Sequence, residues 1–299
     1  MLVNPAQTTP PPPTVSVFPP PPPPLASVSF PIGWLLEHAA APIKYRAAVE
    51  VARLAAGPGT ALSNLPYAFA PALRLAVTQS ADGVWNNAML TVPPQRGDDF
   101  EHVGTMHAVR RLTEYGWDKD SPPIYHARRI LFRLLAEDND PALLFEFAPT
   151  PSKPLDRRTV AGFRQHLREA AAATLAQAGF EADPRLRGAA NRILEKIHDF
   201  LRSPFAEKPW IRVGNKQVLA AEAHPPSVAA LHMLAYMPLF RNEHYEEMEA
   251  LYRWLIHPLP RQEQVQLVGK RLIPVPLYVL GDKLPHRNAV EEDVPAALA

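Results

Sequence analysis

Two stretches of this chain repeat each other without a gap at an offset of 63 residues, and that self-similarity limits the fold more than any other feature. Leu112, Gly116, Asp120, Ala127, Ile130 and Leu131 recur as Leu175, Gly179, Asp183, Ala190, Ile193 and Leu194. A fixed offset marks a repeat architecture, in which one unit cannot bury its apolar face alone and stacks on the next. Each copy reads as helix, stop, helix. Gly116 and Gly179 suit the left-handed conformation that ends a helix. Ser121-Pro122 and Asp183-Pro184 then supply a cap and a proline at the first helical position.

The second copy has the cleaner stripes. A helix from about 157 to 178 aligns Val160, Phe163, Leu167, Ala171 and Leu175, and its partner aligns Leu186, Ala190, Ile193, Ile197 and Leu201. A degenerate third copy covers Val228 to Tyr236 and Asn242 to Ile256, with Pro238 in place of the glycine and Asn242 as the cap. Glu243, Glu246 and Glu247 suit the positive end of that helix. Upstream, Trp34-Leu35-Leu36 forms a short apolar turn. A helix opened by Pro42 carries Ile43, Ala47, Val51 and Leu54 until Gly57-Pro58-Gly59 ends it. Another, from Pro66 to Gln79, carries Phe69, Leu73 and Val77. Beyond the repeats, Val265 to Val268 and Leu272 to Leu280 predict a short strand or an extended arm.

These elements predict an all-α protein of antiparallel helical hairpins, in an α/α-toroid-like ring or an open α-solenoid arc. The helical repeat domain spans 32–281, between a proline-rich disordered tail over 1–31 and a polar C-terminal tail over 282–299. Proline, 36 of 299 residues, is more than twice its usual share. Pro10 to Pro13 and Pro19 to Pro24 concentrate it in the first tail, where the missing N–H favours polyproline II or disorder. Phe18 followed by six prolines resembles the ligands of EVH1-type domains, and proline-rich segments dock on aromatic grooves.

Charge and cysteine content narrow the function classes. Lys+Arg 31 against Asp+Glu 30 leaves a net charge of +1, so no global field recruits nucleic acid. With no cysteine there is no disulfide, no thiolate zinc site and no cysteine nucleophile, which fits the cytoplasm. No signal peptide and no apolar run long enough to span a membrane is evident.

Gln79-Ser80-Ala81-Asp82-Gly83-Val84-Trp85 resembles the QW motif of squalene and oxidosqualene cyclases and their α/α-toroid relatives, which include the protein prenyltransferases. Trp34-Leu-Leu-Glu with Tyr45-Arg46, and Leu112-Thr-Glu-Tyr-Gly116, are similar to the opening and to a hairpin turn of bacterial members. The likeness covers roughly residues 32 to 203. It implies that Gln79, Gly83 and Trp85 are scaffold: the glutamine ties to a helix end and the tryptophan packs on it. The family's Asp-x-Asp-Asp protonation motif is missing. The nearest acidic cluster, Glu137-Asp138-Asn139-Asp140, precedes Pro141 and suits a solvated loop. The prenyltransferase zinc set needs a cysteine.

Among polar clusters, Asp98, Asp99, Glu101, His102 and His107 are the densest. A hard metal or an acid-base pair could be assembled there, although acids before a helix more commonly complement its dipole. Thr105, His107 and Trp117 are the candidates for a ligand cavity, with Tyr236, Trp254 and Tyr252 as further aromatic lining. Asp98, Asp99 and His107 are the candidate catalytic groups. Glu195-x-x-His198 is half of a di-metal bundle site with no second copy, and no metal or cofactor is expected. Arg157, Arg164 and Arg168 near Lys153 suit diphosphate, or an ordinary solvated face. The expectation is a non-catalytic helical-repeat protein that holds an apolar, isoprenoid-like ligand on its concave side. The alternatives are a scaffold for a protein partner, and a terpene-cyclase-type enzyme with a displaced acid.

Overall fold

The computed structural model describes residues 31–57, 59–90, 100, 102–136, 157–220, 222–255, 265–268 and 271–274. The two proline runs, Asp98, Asp99, Glu101, the acidic cluster at 137–140, Lys153 and the 282–299 tail lie outside them, as do the side chains of Arg157, Val160 and Phe163.

The described residues are mostly helical, an all-α fold with one small sheet. In chain order the helices are α1 (Ile32–His38), α2 (Ala41–Arg46), α3 (Ala61–Asn64), α4 (Ala70–Val77), α5 (Thr105–Glu114), α6 (Pro122–Leu135), α7 (Arg157–Gln177) and α8 (Pro184–Arg202). After the hairpin of β1 (Trp210–Val213) and β2 (Lys216–Leu219) come α9 (Val228–Ala235), α10 (Pro238–Glu243) and α11 (Tyr245–Leu255). A second hairpin of β3 (Val265–Val268) and β4 (Arg271–Pro274) follows.

The repeat is real in three dimensions. Gly116 (φ +94°) and Gly179 (φ +86°) stop α5 and α7 in the left-handed region. Each stop carries the same pair of bonds: Trp117 N–H donates to Leu112 C=O at 3.0 Å and Phe180 N–H to Leu175 C=O at 3.1 Å. Gly116 and Gly179 N–H donate to Thr113 and Ala176 C=O, both at 2.9 Å. This double closure satisfies carbonyls that a helix end otherwise orphans. The caps differ. The Asp183 carboxylate accepts from Arg185 N–H at 2.9 Å, whereas Ser121 makes no side-chain cap bond and the Asp118 carboxylate accepts from Asp120 and Ser121 N–H instead.

α7 is the centre of the core, packing against α5, α6, α8 and α9. Leu167, Ala171 and Leu175 are buried on it, and Leu186, Ala190, Ile193 and Ile197 on α8, with Leu201 partly so. The alanine run Ala170 to Ala173 keeps this helix narrow enough for α9 to pack along it. A smaller cluster, Phe200, Ala206, Leu219, Ala220 and Ala223, lies where α8 meets the sheet. That sheet runs β1-β2-β3-β4; both hairpins are antiparallel, and β2 and β3 pair in parallel through Leu219 and Gln266.

Four expectations are corrected. The stripe from Ile43 to Leu54 is not the buried face: α2 buries Pro42 and runs into a π-turn, Ala47–Val51, that buries Ala47 and Ala48. Ile43, Val51 and Leu54 are about half exposed. The wide turn, closed by Ala52 N–H on Ala47 C=O at 2.9 Å, takes more residues than an α-turn and swings later positions off the face that regular spacing predicts. The chain then turns at Arg53, left-handed at φ 57°, before the Gly57-Pro58-Gly59 stop. On α4 the buried residues are Pro71, Ala72 and Leu75, not Leu73 and Val77; a helix reading APALRLAV is apolar nearly all round, so spacing alone does not choose its face. Asn242 lies within α10 and does not cap α11, which starts at Tyr245 with Glu246 and Glu247 in its first turn. Finally, β1 and β2 form where no strand is expected.

Candidate functional site

The turn after α4 is clamped by the side chains that make its sequence distinctive. The Gln79 carboxamide donates to Gly83 C=O at 3.0 Å and to Pro123 C=O, in the first turn of α6, at 2.8 Å. Gly83 sits at φ +83°, and a Cβ there would lie 2.8 Å from His126 O, so only glycine allows α6 this close. Trp85, fully buried, donates its indole N–H to Leu75 C=O at 2.8 Å. Its backbone N–H donates to Thr105 Oγ1 at 3.1 Å, and that hydroxyl donates to Ala88 C=O at 2.7 Å.

The start of α5 is closed by backbone. Gly104 offers no side-chain cap. Thr105 and Met106 N–H donate instead to Ala88 and Met89 C=O at 2.8 and 3.1 Å. Thr105 is therefore buried with its hydroxyl engaged on both sides. Trp117 is buried too, with its indole N–H on Pro66 C=O at 3.2 Å and its ring 4.9 Å from Tyr67. His107 is half-buried on α5, and His102 is an exposed left-handed residue at φ 64°. Trp254 bonds Ala206 C=O at 2.9 Å and meets Phe200 edge-on, while Tyr252 is exposed. Thr105, Trp117 and Trp254 thus serve packing and backbone satisfaction.

The structure also brings together polar residues that periodicity does not single out. Glu169, buried on α7, accepts from Ser227 Oγ at 2.5 Å and from Gln165 Nε2 at 2.9 Å. Ser227 is also the cap of α9, accepting from Ala230 N–H at 3.0 Å. Burial pushes the Glu169 carboxyl above its ordinary range, opposed by the Ser227 and Gln165 hydrogen bonds and by Lys196. Two turns along α7, Gln177 Oε1 accepts from Arg110 Nε at 3.1 Å and lies 3.0 Å from Nε2 of the buried His232. The oxygen can only accept, so His232 carries a proton on Nε2. The Tyr236 ring lies against His232 at 5.1 Å, tilted by 31°, and its hydroxyl is pushed up by burial, with Arg46 opposing and Glu114 adding to the shift. One signal of this seam was in the sequence: Ser227 stands just before an apolar run, where a cap belongs.

Arg168 and Glu169 share a cleft between α7 and α8 with Gln165, Arg192 and Lys196. Its volume, about 20 Å³, holds about one water molecule. Glu195 and His198 lie on the outer part of α8. Among the described residues no three His, Asp or Glu side chains gather closely enough to hold a metal ion, and no helix is long and apolar enough to cross a membrane. The chain matches no family model, no curated protein and no solved structure.

Proposed function

We propose that this protein is a helical-repeat scaffold that binds a polypeptide partner through the surface around α1, α2 and α4. The observation that carries this is α1 itself. Its sequence, Ile-Gly-Trp-Leu-Leu-Glu-His, is apolar along most of its length, yet none of its residues is buried. Trp34 is 60% exposed, and Ile43 and Val77, on α2 and α4, are 52% and 79% exposed. α1 packs on α2 and on the π-turn that follows it, and a contiguous exposed apolar patch marks an interaction site. Photo-crosslinking residues placed at 34 and 77, with a control at Glu195, test it in cells. A polypeptide adduct at 34 and 77 that is missing at 195 is expected; adducts of equal yield at all three sites would end the proposal.

A second reading, an apolar ligand held by a toroid-like body related to squalene cyclases, draws support from the hydrogen bonds of Gln79 and Trp85 and the close approach at Gly83. Organic extraction of the purified protein followed by mass spectrometry separates the two. A stoichiometric isoprenoid-like molecule favours this second reading over the scaffold.

A further inference from the structure

α6, α7 and α8 carry three, four and five arginines and lysines in turn, against three carboxylates in all, Glu169, Glu195 and Asp199. The net charge of +1 for the whole chain therefore conceals a strongly basic middle. Three of those cations meet at one place. Arg168 from α7 and Arg192 and Lys196 from α8 line the cleft between the two helices, whose fourth charged group is the buried Glu169. We propose that this cleft is an oxyanion site that takes the phosphate of a small phosphomonoester, with Arg168, Arg192 and Lys196 as its donors. Its residues are not those of the proposed docking surface, so the two readings stand or fall separately.

The charge count selects the ligand. Even with Glu169 ionised, three cations and one carboxylate leave two net positive charges, equal and opposite to a dianionic phosphate monoester. Both Glu169 oxygens accept from uncharged groups, Oε2 from Ser227 Oγ at 2.5 Å and Oε1 from Gln165 Nε2 at 2.9 Å, which anchor the acid between α7 and the start of α9. The cations also repel one another. Arg192 and Lys196 stand one turn apart on α8, a spacing at which like charges destabilise a helix, and Arg168 lines the same cleft from α7. A dianion among them relieves that repulsion. The space fits an oxygen: at about 20 Å³ it holds one water-sized atom. One phosphate oxygen enters, and the rest of the group stays at the mouth, where Arg192 and Lys196 are exposed. Arg192 Nη2 donates to Leu135 C=O at 3.3 Å, holding the guanidinium beside the end of α6. A planar fork of five N–H donors suffices for a carbonyl and an oxyanion together.

Denaturation midpoints of the full chain, measured with inorganic phosphate, methyl phosphate or dimethyl phosphate at constant ionic strength, test the site. Phosphate and methyl phosphate should raise the midpoint along a saturating curve. Arg192→Gln and Lys196→Gln should each move half-saturation at least about tenfold higher, while Arg202→Gln, an exposed arginine at the end of α8, leaves the curve in place. A rise that never saturates, or that survives unchanged in both cleft variants, would overturn the proposal, because excluded salts stabilise any compact protein in that way. So would a midpoint lowered equally with and without phosphate in those variants, which marks a structural role alone. Dimethyl phosphate, a monoanion, should have little effect; an effect equal to that of methyl phosphate would replace the monoester with the phosphodiester of a nucleic-acid strand. A phosphoserine peptide that binds far more tightly than methyl phosphate would likewise sink the small-molecule assignment.

Discussion

In the hairpin of α7 and α8, Leu167, Leu175, Leu186 and Ile197 are all buried, whereas in the run from α1 to α4 Trp34, Ile43, Leu73 and Val77 are between 43% and 79% exposed. Both regions are apolar; they differ in helix length. α7 and α8 have 21 and 19 residues, enough turns for one stripe to bury a leucine, isoleucine or alanine at each. The first four helices have between 4 and 8 residues, and apart from Leu75 on α4 what they and the π-turn bury is small: Pro42, Ala47, Ala48, Pro71 and Ala72. Close approach explains the choice, because the Tyr45 ring lies over Gly116 so tightly that a Cβ there would be 2.6 Å from it. Burying a large apolar side chain stabilises by about 1.5–3 kcal/mol, so the long hairpin carries the stability and the short helices present surface.

The largest expected effect lies at the joint between the two regions. Trp85→Ala removes a fully buried ring and leaves Leu75 C=O without its indole donor, and should cost about 3–5 kcal/mol, read from chemical denaturation. A loss under about 1 kcal/mol would mean that the joint collapses around the gap and that the regions are not coupled through it.

Next come the two glycines of the repeat. Gly179→Ala meets open space and bears only the left-handed conformation, about 1–2 kcal/mol. Gly116→Ala bears that as well as the collision with Tyr45 and Pro66, and should cost about 1–3 kcal/mol more. Gly116→Ala combined with Tyr45→Ala should narrow the gap. Equal costs at the two glycines would show that Tyr45 yields freely and that α2 is loosely held.

A pH titration sharpens the contrast from the other side. Burial raises the Glu169 carboxyl above its ordinary value of 4.5, so the folded state keeps a proton that the unfolded state releases. Its contribution is complete below that ordinary value and falls as pH rises through the folded-state value. Asp183, lowered chiefly by the Arg185 hydrogen bond, has the opposite sign: its contribution is present above its ordinary range and is lost on acidification. Glu169→Gln should flatten the first slope in a series of denaturation midpoints between about pH 4 and pH 8, and an unchanged slope would place that proton elsewhere. The smallest effect belongs to Trp34→Ala. With Trp34 60% exposed, it should change stability by no more than about 0.5 kcal/mol.

The same contrast explains how much was legible in advance. The α5 to α8 hairpins could be read because Gly116, Gly179, Ser121 and Asp183 punctuate helices long enough for their stripes to be unambiguous. The faces of α2 and α4 could not: one helix widens into a π-turn, and the other is apolar nearly all round. Gln79, Gly83 and Trp85 stood out as a group, but their bonds to α6 and to Leu75 depend on helices that spacing does not place. The polar seam was nearly invisible. Glu169 and Gln177 sit on a helix where polar residues normally face water, and only the arrival of α9, with Ser227 and His232, gives them partners.

The pairing of Leu219 with Gln266 has a consequence for the order of folding. Each β-hairpin closes over a few residues, as do the helical hairpins, so these units can form early and independently. The parallel pairing of β2 with β3 spans all of α9, α10 and α11, and it forms only after the entropy of closing that long loop has been overcome. The four-stranded sheet should therefore be assembled last. Under native conditions its amides should exchange with solvent well before those of α7, which marks the C-terminal end of the fold as the place where the molecule first comes apart.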